Sequence, residues 1–176
     1  DGKSQRTNSL DFIRAMFNIA GLSDKHKLVL RYLDILKYHS RLTIKEYRRL
    51  TGEKNLNALN DLQFRNWVSF VEAENNEDTE IKVHQLIYDL VEKDDAPTYQ
   101  NVPGIASYID KCFNVLDEII HEESDSDESS IDFEKASCIT YALLMYDDIR
   151  SSENTENRMK KTAMIYSFMC VAFKVN

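Results

Sequence analysis

Four glycines and two prolines in 176 residues leave this chain few places to turn sharply. That scarcity limits the possible folds more than any other feature. Glycine and proline punctuate loops, so their rarity predicts long uninterrupted helices and argues against a turn-rich β-sandwich or a glycine-rich phosphate cradle. Hydrophobic residues at 43% and charged residues at 30% fit a folded chain rather than a disordered one. The length allows one medium domain or two small ones. No apolar run approaches the roughly 18 residues that span a bilayer, so no membrane partner is expected. The opening Asp1–Leu10 lacks the apolar core of a secretory signal. It also lacks an initiator Met, which reads as an excised fragment or a processed product of a longer parent.

The net charge of −8 is unevenly spread. Residues 1–92 carry 14 Lys and Arg against 14 Asp and Glu, whereas residues 93–176 carry 8 against 16. The change coincides with KDDAPTYQNVPG (93–104), which holds both prolines. Two modules are expected, a neutral one over 1–95 and an acidic one over 96–176. Neither has the basic balance that nucleic-acid binding usually needs.

Cys112, Cys138 and Cys170 are odd in number, widely spaced and set among apolar neighbours. They read as reduced core thiols of a cytoplasmic protein, with no disulfide framework. His26, His39, His84 and His121 are equally scattered, so no metal site is predicted.

In the first module, SLDFIRAMFNIAG places Leu10, Ile13, Phe17 and Ala20 on one stripe, closed by Gly21. KHKLVLRYLDILKYH aligns Val29, Leu33 and Leu36, with Leu30 and Tyr32 widening the face. Thr43 to Glu46 reads as a capping box opening a short helix that ends at Thr51-Gly52. A fourth helix is expected from about Asn55 to Asn66, with Leu56, Leu59 and Leu62 inward. The period then changes. Trp67–Val71 and Thr79–Val83 alternate around a polar tip, Glu72–Asp78, which predicts a β-hairpin. A closing helix follows over Gln85–Val91. Helices, a helix-turn-helix and a hairpin together spell a winged helix.

DNA binding is the commonest use of such a fold, with the fourth helix in the major groove. Here that helix offers Asn55, Asn57, Asn60, Gln63, Arg65 and Asn66, and amides can read adenine. Against this, Asp61 sits mid-helix, Arg65 is its one cation, and the wing tip EAENNED is acidic and would meet phosphates with the wrong sign. DNA is therefore not the expected partner. A DNA-reading transcription regulator with a helical dimerisation or effector domain stays open as the alternative.

Asn66-Trp67-Val68 and Ile81-Lys82-Val83-His84-Gln85-Leu86-Ile87-Tyr88-Asp89-Leu90-Val91 resemble the winged-helix domain of STAND, or NB-ARC-like, signalling NTPases. There a "gW(I/V)" strand leads into the wing, and a second strand ends in an apolar-His-Asp motif before an "L(I/L)xDL" helix. Phe17–Ser23 and Lys27–Leu30 are similar to the opening of the same domain, so the likeness covers about residues 9–92. The resemblance implies that His84 closes over bound ADP, contacting its β-phosphate and locking the inactive state. It departs from the family at Gln85, where Asp is usual. It also implies a nucleotide-binding domain N-terminal to Asp1 in the same parent chain, holding ADP or ATP with Mg²⁺. His84 has a second reading, a core residue bonded to a backbone carbonyl. The chain has no GxxxxGK(S/T) loop, so it is expected to have no catalytic residues and no ATPase activity of its own.

In the second module, Ile105, Ile109, Cys112, Leu116 and Ile119 form one helical stripe. An acidic break, HEESDSDESS (121–130), precedes a second helix over IDFEKASCITYALLMYDDIR and a third over NRMKKTAMIYSFMCVAFK, apolar almost all round. The expectation is an α-helical hairpin or repeat-like module. In STAND proteins such arrays, tetratricopeptide units among them, sense a ligand, here unknown. The acidic break reads as a solvated linker lacking the spacing of a calcium loop. Asp147-Asp148 reads as surface, and Tyr141, Tyr146, Tyr166, Phe168 and Phe173 as helix-packing core.

Overall fold

A computed structural model describes residues 16–38, 41–122 and 143–173, and within them the fold is mainly helical with one two-stranded antiparallel sheet. The chain divides into two units, Asp1–Pro97 and Thr98–Asn176.

In the first unit the opening helix stops earlier than its periodicity predicts. Leu10 and Ile13 lie outside the described residues, and the chain leaves the helix at Phe17. Asn18 then caps a 3-10 turn, Ile19–Gly21, its Oδ1 accepting from the Gly21 N–H at 3.3 Å. A short polar side chain competing for backbone donors favours such a break. Ile19 is buried and Ala20 exposed, the reverse of the expected stripe.

Ser23 caps α1 (Asp24–Ile35), whose Val29, Leu30, Tyr32, Leu33 and Ile35 are buried, as is Leu36 beyond its end. Thr43 caps α2 (Ile44–Thr51), its Oγ1 accepting from the Glu46 N–H at 3.2 Å, while the Glu46 carboxylate takes Arg49 at 2.9 Å. Gly52 ends α2 in the left-handed region at φ 73°.

The next helix, α3 (Asn57–Phe64), is shorter at both ends than its pattern suggests. Asn55 Oδ1 accepts from the Asn57 N–H at 2.8 Å and holds the preceding residues in a turn. At the far end Asn66 takes φ 61°. The Asn66 N–H reaches the Gln63 carbonyl at 2.9 Å and the Trp67 N–H reaches the Leu62 carbonyl at 2.8 Å. These two bonds make a Schellman stop, with Trp67 and Leu62 buried as its usual apolar pair. Arg65 therefore caps the helix rather than belonging to it, and Trp67 ends the helix rather than starting the strand. The Phe17 ring meets Trp67 edge-on, with centroids 5.1 Å apart.

The hairpin pairs β1 (Val68–Val71) with β2 (Glu80–Val83) in the register Val68↔Val83 and Phe70↔Ile81. On the other side of β2 the Ile81 N–H donates to Leu42 O at 2.8 Å and the Ile44 N–H to Thr79 O at 3.0 Å. The short stretch before α2 thus extends the sheet through a Thr43–Glu80 bridge. From β2 the chain passes directly into α4 (Gln85–Asp94). α1 packs on α3 and α4, and Arg31 holds Asp95 at 2.5 Å while Lys37 pairs with Glu92.

The second unit opens with α5 (Pro103–Glu122), where proline fits the first helical position because its missing N–H has no intrahelical acceptor. Ile105, Ile109, Cys112, Leu116 and Ile119 are all buried on one side, as their spacing requires. A helix over 143–149, α6, buries Met145, Tyr146 and Ile149. A 3-10 turn, Arg150–Ser152, leads into α7 (Thr155–Phe173), which packs against α5. Residues 123–130 of the acidic break, Cys138 and Tyr141 lie outside the described residues, as do the side chains of Cys170 and Phe173.

Candidate functional site

His84 sits where β2 hands over to α4. Val83 makes the last sheet pair, and His84 follows in an extended conformation as the N-cap of the helix. Its Nδ1 accepts from the Leu86 N–H at 3.2 Å, doing with an imidazole what serine or aspartate usually does with an oxygen. An accepting Nδ1 places the proton of the neutral ring on Nε2. The ring is exposed, so His84 is not the core residue of the second reading, and Nε2–H is a donor available from solvent. Gln85, where the resembling family has Asp, donates through Nε2 to Asp89 at 2.9 Å and lies along the helix. The positive dipole end of α4 adds a mild preference for an anion near the same point.

The residues considered for DNA reading are differently placed. Asn57, Asn60 and Gln63 are exposed on α3, and Arg65 lies just beyond it. Asp61 accepts from His26 Nε2 at 3.3 Å, while His26 Nδ1 lies 2.6 Å from Ser23 Oγ. At the wing tip Glu72 and Glu74 are exposed, and Glu77 pairs with Arg48. In the second unit Asp147 is exposed and bonded to Arg150 at 3.0 Å. Tyr146 is buried but Tyr166 is 67% exposed, against the expectation of core packing. No group of three or more potential metal ligands occurs among the described residues. Among the same residues no helix is long and apolar enough to cross a membrane.

One cluster escaped sequence reasoning. Lys161 of α7 is only 8% exposed. Its Nζ bonds Asp110 at 2.6 Å, Glu153 at 2.7 Å and the Tyr99 hydroxyl at 2.9 Å. It also lies 4.6 Å from the Tyr99 ring centroid and 5.4 Å from that of Phe113. Burial pulls the ammonium toward neutrality, but the bonds to Asp110, Glu153 and Tyr99 outweigh it and hold its pKa above the ordinary lysine value. With its ammonium bonded to Asp110, Glu153 and Tyr99 at once, Lys161 works as an ionic staple. Burial raises the Tyr146 hydroxyl to about 12 beside it. The available signal was phase: Lys161 shares a helical stripe with Ile165 and Phe168, which places it inward.

No family model, curated protein or solved structure matches this chain.

Proposed function

We propose that the first unit is the winged-helix domain of a STAND-type ATP/ADP-dependent signalling switch. In this reading His84 closes over ADP held by a nucleotide-binding domain of the same parent chain, and the helical second unit acts as sensor. The observation that carries the reading is the His84 ring: exposed, with Nδ1 tied to Leu86 and Nε2–H left to donate. A β-phosphate oxygen is a suitable acceptor, and the N-terminus of α4 has the matching sign. Support also comes from the order of elements, helix-turn-helix, hairpin and helix, with Leu42–Thr43 extending the sheet. Loss of the phosphate contact on nucleotide exchange biases a closed-to-open equilibrium.

The test separates the two faces of the imidazole in the intact parent. His84→Ala removes both the cap and the outward donor, whereas His84→Asp keeps a capping acceptor but presents negative charge to the phosphate. Both are expected to raise basal signalling and to weaken ADP retention. Unchanged ADP retention in His84→Asp would reject the reading. This chain alone is expected to have negligible ADP affinity.

A transcription regulator is the second reading, supported by the exposed amides of Asn57, Asn60 and Gln63. It has weaker support because α3 contains no Lys or Arg between Asn57 and Phe64. A low-salt gel-shift titration separates the readings: binding weakened by Arg65→Ala favours the regulator.

A further inference from the structure

α7 is apolar on two opposite sides, and the described residues cover only one of them. The covered side is fixed by Lys161, bonded to Asp110 of α5. At about 100° per residue, Met159 and Ala163, each two positions from Lys161, fall on the far side of the helix. There Met159 is 64% and Tyr166 67% exposed, with Met169 at 45% beside them. Met159, Ala163 and Tyr166 follow the i, i+4, i+7 spacing of a contact stripe. α5 and α6 both meet α7 from the Lys161 side, Tyr146 of α6 donating to Arg158 O at 3.1 Å, so a second apolar stripe serves no packing among them and is costly in water.

The stripe floors a groove of about 580 Å³, bounded by Arg150, Ser151, Arg158 and Thr162. Small Ala163 between Met159 and Tyr166 opens a hole of the kind that receives a side chain from a crossing helix. The rim is cationic. Arg150 is shared with Asp147 at 3.0 Å, whereas no described acidic side chain pairs with the Arg158 guanidinium.

We infer that this face docks an amphipathic helix of another protein, one whose apolar stripe is edged by Asp or Glu. Charge selects this occupant over a second copy of the chain. Two copies packed through the groove bring Arg150 and Arg158 against their equivalents, and the first turns of α7 offer only Glu156 in compensation beside Arg158 and Lys160. Carboxylates on a partner meet the two guanidiniums in bidentate geometry at the rim and leave apolar contact for the centre. The inference is independent of the nucleotide reading, since no residue of the first unit takes part.

The test uses fluorescence anisotropy of the full chain with two labelled helical peptides carrying the same leucine stripe, one edged with Glu and one with Lys. The Glu-edged peptide is expected to bind at least about tenfold tighter. Ala163→Arg, which fills the hole from an exposed position, is expected to abolish that binding, and Arg158→Glu to reverse the preference. Tyr166→Ala removes an exposed ring without touching the packed side and is expected to weaken binding about tenfold. Failure of both peptides to bind saturably, or binding indifferent to Ala163→Arg and Tyr166→Ala, overturns the inference. A dimer in sedimentation that Ala163→Arg dissolves assigns the face to a second copy and overturns it equally.

Discussion

The Lys161 ammonium lies 2.7 Å from the Glu153 carboxylate, and both side chains are largely closed to water, at 11% and 5% exposure. Ser152, next to Glu153, accepts the Tyr99 N–H at 3.0 Å, and Tyr99 in turn accepts from Lys161. One buried cation therefore ties the turn before α7, the approach to α5 and α5 itself. Lys161→Met strands Glu153 without its partner, a change that typically costs about 3–5 kcal/mol for a buried pair. The expected result in urea denaturation is loss of the second unit's transition at markedly lower denaturant. Lys161→Met combined with Glu153→Gln is expected to recover part of the loss, because the stranded charge is gone.

The same cluster sets an alkaline limit. Lys161 has a folded pKa above its ordinary 10.5, so its stabilising contribution is complete below that value and fades as pH rises through the folded pKa. Tyr146, raised by burial from 10.0 to about 12, acts in the same direction, because the unfolded chain loses its proton first. Helical signal from the second unit is expected to hold to about pH 10 and to fall above it. Circular dichroism against pH checks this, and a stability flat between pH 10 and 12 would contradict it.

Asn66 stops α3 in the left-handed region, where a residue without a small polar side chain is strained. Asn66→Ala is expected to destabilise the first unit by about 1 kcal/mol, and Asn66→Gly to be neutral or mildly stabilising. Equilibrium denaturation of the two variants side by side decides it.

Gly52 offers the same test without crowding. It sits at φ 73°, and a Cβ there meets nothing within 4 Å. Gly52→Ala is expected to cost about 1–2 kcal/mol from backbone conformation alone, and Gly52→Asn less. Equal costs for the two substitutions would show that the left-handed preference is not the cause.

Capping by His84 is measurable apart from any nucleotide. His84→Ala leaves the Leu86 N–H without its acceptor and is expected to cost about 0.5–2 kcal/mol in the first unit. His84→Asp, which restores a capping oxygen, is expected to cost less. Thermal denaturation of both variants is the check.

Sequence alone determined the elements whose burial follows a simple period. The stripe of Val29 and Leu33 in α1 with Leu36 just beyond it, and the α5 stripe from Ile105 to Ile119, were legible because one apolar side must leave water whatever it packs against. Caps were legible too, since Thr43 and Gly52 act on neighbouring backbone groups. Tertiary structure decided what depends on residues distant in sequence. It ended α3 at Asn66 because Trp67 had an apolar place beside Leu62. It selected Lys161 rather than adjacent Lys160 for burial because Asp110, Glu153 and Tyr99 converge there from three segments. A linear pattern encodes which side of an element avoids water; only the assembled neighbours determine which charge is worth burying.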